Sequence, residues 1–230
     1  MALSFCVTTY NRFNLTIQSF EKILDDERVS EIVISDDCST DGSYEKLVDF
    51  FKGNEKVKIF RNERNVDCYV NKRIAIELAT NKWCILGDSD NVFTKDYLDK
   101  IFSYEWDEKT ALMPSFAYPN FCYEQFSGLT IDKHNVAQYF DEPLFETCCN
   151  CANYFVNRDF YLKVWDGSVN PHTADSLYQN YNWLVNDGKI FIVPELQYYH
   201  SVHPESHYIL NNHKTGSFHE ELKQKYRELI

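Results

Sequence analysis

The segment "EIVISDDCSTDGSYEKLVDFF" (residues 31–51) holds one complete folding unit. Its apolar run, Ile32 to Ile34, is rich in β-branched residues and ends abruptly on Asp36 and Asp37. Such a run reads as a buried strand. A turn of small polar residues follows, and "DGSYEKLVDFF" then reads as a helix with Asp41 or Ser43 as N-cap. Strand, polar turn and helix repeat on either side. "LSFCVTT" (3–9) precedes "FNLTIQSFEKILDD" (13–26), whose apolar positions Phe13, Ile17, Phe20 and Leu24 mark a helical face. "KVKIFRN" (56–62) precedes "DCYVNKRIAIELAT" (67–80), and a fourth strand, "KWCILGD" (82–88), closes the series.

This alternation predicts an α/β fold with a mainly parallel, Rossmann-like sheet flanked by helices. Ligands of such sheets bind beyond the carboxyl ends of the strands. Polar clusters stand at those ends: "TTYNR" (8–12), "SDDCSTDG" (35–42) and "GDSDN" (87–91). Residues 104–230 are less regular and predict a smaller mixed half, joined to residues 1–103 in a single domain. There "TALMPSFAYPNFCYEQFSGLTI" (110–131) reads as short strands and turns broken by Pro114 and Pro119. "CANYFVNRDFYLKVW" (151–165) reads as a strand entering a helix near Arg158. "ADSLYQNYNWLVNDG" (174–188) is a helix with Gly188 as C-cap, and "KIFIVPELQYYHSVH" (189–203) one or two strands. "SFHEELKQKYRELI" (217–230) reads as a terminal helix with Ser217 as N-cap and Glu220 at capping-box spacing.

The chain has 230 residues and a net charge of −12. That acidity repels phosphate backbones and argues against nucleic acid as partner. A phosphorylated ligand would need a metal ion or local Arg and Lys. No segment reaches the length of a transmembrane span, and "MALSFCVTTYNR" lacks the basic leader of a signal peptide. The eight cysteines follow no disulfide-scaffold spacing, which predicts free thiols in the cytoplasm. "TCCNC" (147–151) lacks the second ligand pair of a zinc site.

Asp88 and Asp90, one residue apart behind a buried strand, are oxygen donors suited to a divalent cation. The same pair is compatible with the nucleophile and acid of a haloacid-dehalogenase-type phosphatase, or with a solvated turn. The phosphatase motif normally opens its domain, and no later strand with an acidic pair follows here. A sugar-nucleotide-forming nucleotidyltransferase would want a Gly-rich basic loop after the first strand, and "TTYNRFN" has no glycine.

The order "SFCVTTYNR", "EIVISDDCSTDGS", "ATNKWCILGDSDNVF" resembles the inverting family 2 glycosyltransferases with the GT-A (nucleotide-diphospho-sugar transferase) fold. A weaker match continues through "NYFVNRDFY", "TADS" and "NDGKIFIVPELQYYHSVH". The resemblance implies a metal-dependent transfer of sugar from a nucleotide donor, most simply a UDP-sugar. The acceptor would be a hydroxyl of a glycan, lipid-linked glycan or glycoprotein. A non-catalytic nucleotide-sugar-binding module is the alternative on the same scaffold. By position, Tyr10 would stack on the base, with Thr8 near it and Asp37 accepting a base N–H. Asp88 would approach the ribose and share with Asp90 a Mn²⁺ or Mg²⁺ ion. Asp175 would be the general base, with Asp166 and Asp187 as substitutes. His200 or His203 would complete the metal site or contact the diphosphate. Arg12, Lys72 and Arg73 are candidate diphosphate contacts, the last two because of their motif position. Cys38 and Asp67 stand where the family has glycine, which predicts an altered turn at Cys38.

Overall fold

The computed structural model describes residues 2–202 and 206–229. Strands β1 (Leu3–Thr9), β2 (Val29–Asp36), β3 (Val57–Arg61) and β4 (Trp83–Asp88) alternate with helices α1 (Phe13–Phe20), α2 (Ser43–Phe50) and α3 (Asp67–Leu78). The four strands run parallel in the order β3-β2-β1-β4. All seven residues of β1 are buried, because helices cover both faces of the sheet. This is why the apolar runs are continuous rather than alternating.

Beyond β4 the chain comprises β5 (Asn91–Val92), α4 (Lys95–Phe102), β6 (Thr110–Tyr118), β7 (Phe121–Cys122), β8 (Thr130–Ile131), α5 (Val136–Tyr139) and α6 (Phe145–Cys149). It continues through β9 (Tyr154–Asn157), α7 (Arg158–Val164), α8 (Asp175–Val185), β10 (Lys189–His200) and α9 (His207–Arg227). It extends the same sheet as β4-β9-β6-β10-β5, with β9 antiparallel to β4 and β6 parallel to β10. One core of buried apolar side chains, from Phe5 and Ile34 to Trp183 and Tyr226, runs beneath both halves.

Two local expectations are corrected. Pro114 does not break a strand but lies inside β6. It sits opposite Val193, where the pairing of β10 shifts register, so its missing N–H falls at a bulge. Gly188 is not the left-handed cap of α8; Asp187 takes that conformation at φ 62°. Gly188 instead lies flush against Trp183, where a Cβ would meet Cδ1 at 2.3 Å. The terminal segment is helical over His207–Arg227 but broken at Gly216, which is non-helical at φ 49° and ψ −134°; the stretch expected from Ser217 onward is present, and a further helical stretch precedes it.

Candidate active site

The loops that follow β1 and β2 are latched to each other. Asn11, at φ 55°, donates its backbone N–H to Ser39 Oγ (2.8 Å), and its side-chain Oδ1 accepts from Thr40 N (2.8 Å). Asp36 is fully buried and accepts from the backbone N–H (2.9 Å) and hydroxyl of Ser39. It is therefore spent on the turn. Asp37 is left for other partners and accepts at Oδ1 from Val66 N (2.9 Å) and Asn62 Nδ2 (3.0 Å). Burial pushes the Asp37 carboxyl above its ordinary range, against those bonds. Tyr10 stands 42% exposed on the rim, while Thr8 is buried in register with Asp88.

The turn at Cys38 keeps the left-handed conformation that suits glycine, at φ 63°, and Asp67 does likewise at φ 72°. A non-glycine residue at such a φ carries local strain. Asp67 is also held by Asn170 Nδ2 (3.1 Å) and His172 Nδ1 (3.2 Å), which tie the start of α3 to the segment before α8.

Behind β4, Gly87 lets the strand pass between rings: a Cβ there would lie 2.8 Å from Phe93 and 2.9 Å from Phe5. Asp88 donates its backbone N–H to Asn153 Oδ1 (3.0 Å), which fixes the strand end. Its carboxylate, 30% exposed, lies 3.1 Å from Lys72 Nζ. Asp90 accepts from Arg12 Nη1 at 2.8 Å. Each carboxylate of the pair thus faces a cation of the chain itself.

Lys72 projects from α3 and is buried, with its ammonium between Asp88 and Asp175 Oδ2 (2.6 Å). Burial alone would lower its pKa, but the two carboxylates outweigh it and hold the lysine protonated. Asp175 is the first residue of α8, where a carboxylate is favoured by the helix dipole, and is itself buried. Among the described residues its Oδ1 accepts one long contact, from Ser176 Oγ at 3.5 Å. Lys72 therefore joins the carboxylate pair of the first half to Asp175 of the second.

His200 ends β10 opposite Asn91 of β5. Burial lowers its imidazole pKa despite the opposing pull of Asp90 and Asp88. Asn120 Nδ2 reaches both His200 Nδ1 and the His200 carbonyl oxygen, each at 2.9 Å. His203 lies outside the described residues.

Other sequence candidates sit elsewhere. Arg73 pairs with Glu77 (2.8 Å) and lies over the ring of Trp165, about 100° around α3 from the face that carries Lys72. Asp166 accepts from the Tyr178 hydroxyl (2.5 Å) and from Ser168, and the first of these bonds chiefly depresses its carboxyl pKa. Asp187 lies beyond the far end of α8 from Asp175 and pairs with Lys133 at 2.7 Å. Asn153, Asn91 and Asn120 were not anticipated. Each acts by fixing a strand end, and a single asparagine in an apolar or loop context carries no sequence signal for that.

Among the described residues no group of three or more His, Cys, Asp and Glu side chains is placed to hold a metal ion. A Mg²⁺-like ion needs only one or two protein carboxylates and takes its remaining ligands from substrate phosphates and water. Asp88 and Asp90 fit that role as hard oxygen donors.

Over 161 residues the chain is 26% identical to TuaG of Bacillus subtilis (strain 168), by name a teichuronic acid biosynthesis glycosyltransferase; the match covers 68% of this chain and 62% of TuaG. It is 33% identical over 109 residues to the abequosyltransferase RfbV of Salmonella typhimurium, covering 45% of this chain and 32% of RfbV. The chain thus spans under two thirds of the length of either relative. The mannosyltransferase PcManGT of Pyrobaculum calidifontis, solved with GDP-Man and Mn²⁺, superposes with a TM-score of 0.69 at 14% identity, over 99% of this chain and 69% of that one. S. aureus TarS 1-349 in complex with UDP-GlcNAc gives 0.67 at 16% identity, over 90% and 60%. These likenesses agree with the parallel sheet. The model of glycosyl transferase family 2 matches residues 4–194, and the chain belongs to that family and has the GT-A fold.

Proposed function

We propose that the cluster at the carboxyl ends of β1, β2 and β4 binds a nucleotide-diphosphate sugar, and that Asp175 activates the acceptor hydroxyl for inverting transfer. The observation that carries this reading is the Lys72 bridge, 3.1 Å from Asp88 and 2.6 Å from Asp175. It sets a donor-side carboxylate and a candidate base on opposite sides of one cation. Tyr10 offers an exposed ring to the base, Asp37 a carboxylate to its N–H, and Thr8 lines the floor beside Asp88. UDP is the favoured nucleotide, a choice supported by the UDP-GlcNAc complex of TarS. Asp88 and Asp90 would hold Mn²⁺ or Mg²⁺, which would offset diphosphate charge and act as a Lewis acid on the leaving group. Lys72 and Arg12 add fixed positive charge at the same place.

The acceptor hydroxyl would lose its proton to Asp175 Oδ1, since Oδ2 is engaged by Lys72. The oxygen would then attack the anomeric carbon from the face opposite the departing diphosphate. The acceptor is a glycan, lipid-linked glycan or glycoprotein. No described helix is long and apolar enough to cross a membrane. Among the described residues no disulfide is formed, which supports a cytoplasmic setting.

The test is Asp175→Asn. Transfer should fall by about 10³-fold or more, as for loss of a general base together with the attack it supports, while nucleotide-diphosphate affinity stays within a few-fold. NMR of the wild-type product should show the anomeric configuration opposite to that of the donor. Retained configuration, or full activity in Asp175→Asn, would remove Asp175 from this role.

A further inference from the structure

We infer that His200 serves the leaving diphosphate as a hydrogen-bond donor through Nε2–H, held in that tautomer by Asn120, and is not a metal ligand. The inference rests on the nucleotide-diphosphate reading above. Its basis is the amide of Asn120. One atom of that amide lies 2.9 Å from the His200 carbonyl oxygen and 2.9 Å from His200 Nδ1. A carbonyl oxygen only accepts, so the amide atom facing it must be the NH₂ group and not the oxygen. The same NH₂ group therefore donates to Nδ1, which must present its lone pair. A neutral imidazole with an accepting Nδ1 carries its proton on Nε2. That nitrogen can donate to an oxygen but has no lone pair for a metal ion. Metal-binding histidines show the converse arrangement, in which an acceptor takes the proton of the non-ligating nitrogen.

The ring is placed where such a donor has a use. It ends β10 paired with Asn91 of β5, the residue that follows Asp90. Phe121 and Tyr198 pack on it at centroid distances of 5.5 and 6.2 Å and limit its rotation. The two hydrogen bonds from Asn120 engage Nδ1 and the carbonyl oxygen of His200, not Nε2. Asn120 is a positioning residue here, since it acts only through His200.

The test is ¹⁵N NMR of the histidine-labelled wild-type protein at neutral pH, with the His200 signals assigned by their loss in His200→Gln. The expected result is a protonated Nε2 and an unprotonated Nδ1. Asn120→Ala should convert this single tautomer to a mixture, which a merely structural role for Asn120 would not do. In His200→Ala the Kd for the nucleoside diphosphate should rise about tenfold. The Kd for Mn²⁺ alone, read from free Mn²⁺ by EPR, should change less than twofold. A protonated Nδ1 in the wild type, an unchanged tautomer in Asn120→Ala, or a tenfold loss of Mn²⁺ affinity in His200→Ala would each overturn the inference. If nucleoside diphosphates bind normally in those experiments, only this inference falls. If the wild type binds none of them, the nucleotide-sugar reading falls and takes the role of His200 with it.

Discussion

Replacing Lys72 by methionine removes a cation that two carboxylates share. The ammonium lies 2.6 Å from Asp175 and 3.1 Å from Asp88, and its side chain is 7% exposed. At an effective dielectric of about 20 those contacts carry roughly 6 and 5 kcal/mol of Coulomb attraction. Most of it is offset by the several kcal/mol needed to desolvate the ammonium. The loss on truncation is therefore set by what is left behind. Asp88, at 30% exposed, is partly hydrated, but Asp175, at 9%, becomes a buried carboxylate with no cation. Stranding one partner of a buried pair costs about 3–5 kcal/mol. The double variant Lys72→Met/Asp175→Asn leaves a neutral amide in place of the stranded charge and should lose only ~1–2 kcal/mol. Urea unfolding of wild type, both single variants and the double variant gives the coupling energy directly. If Lys72→Met loses under ~1 kcal/mol, or the double variant is no more stable than Lys72→Met, the bridge is not a buried ion pair and the argument fails.

Further outcomes follow from other sites. Burial would raise the Glu31 carboxyl, but bonds from Lys58, Ser4 and Thr80 hold it at about 2. Its folded pKa lies below the unfolded value, so its contribution is complete above about pH 4.5 and is lost as pH falls toward 2. That contribution is ~2–3 kcal/mol, so acid unfolding of Glu31→Gln followed by fluorescence should show a correspondingly flatter pH dependence. Cys38→Gly relieves a left-handed non-glycine residue at φ 63° and should stabilise by ~0.5–1 kcal/mol; a clear loss of stability would show that the Cys38 side chain contributes more than its strain. Gly87→Ala places a methyl within 2.9 Å of Phe93 and Phe5 and should destabilise by ~1–3 kcal/mol, with weaker donor binding because Asp88 is the next residue. A thermal scan and a nucleotide titration of Gly87→Ala check both halves of that statement.

The first half of the fold was legible because its signals are local. Continuous apolar runs, polar turns and helical faces each occupy one stretch of sequence, and the carboxyl-end rule then places the three clusters together. The second half was less legible because its rules are tertiary. Pro114 is tolerated only because β10 bulges opposite it, and Gly188 is dictated by Trp183 rather than by a cap. In the site, motif position singled out both Lys72 and Arg73, yet adjacent helix residues face different ways and only Lys72 reaches the carboxylates. The asparagines that fix Asp88, Ser201 and His200 were invisible for a related reason: their partners lie 65, 110 and 80 positions away.

Calorimetric titration with UDP, GDP and dTDP, with and without Mn²⁺, addresses the site as a whole. The account predicts that at least one nucleotide, UDP first, binds in a metal-dependent manner, and that Asp90→Ala abolishes the dependence. Binding by none of the three, or binding that neither Mn²⁺ nor Asp90→Ala alters, would contradict the assignment of the strand-end carboxylates to a nucleotide-diphosphate sugar.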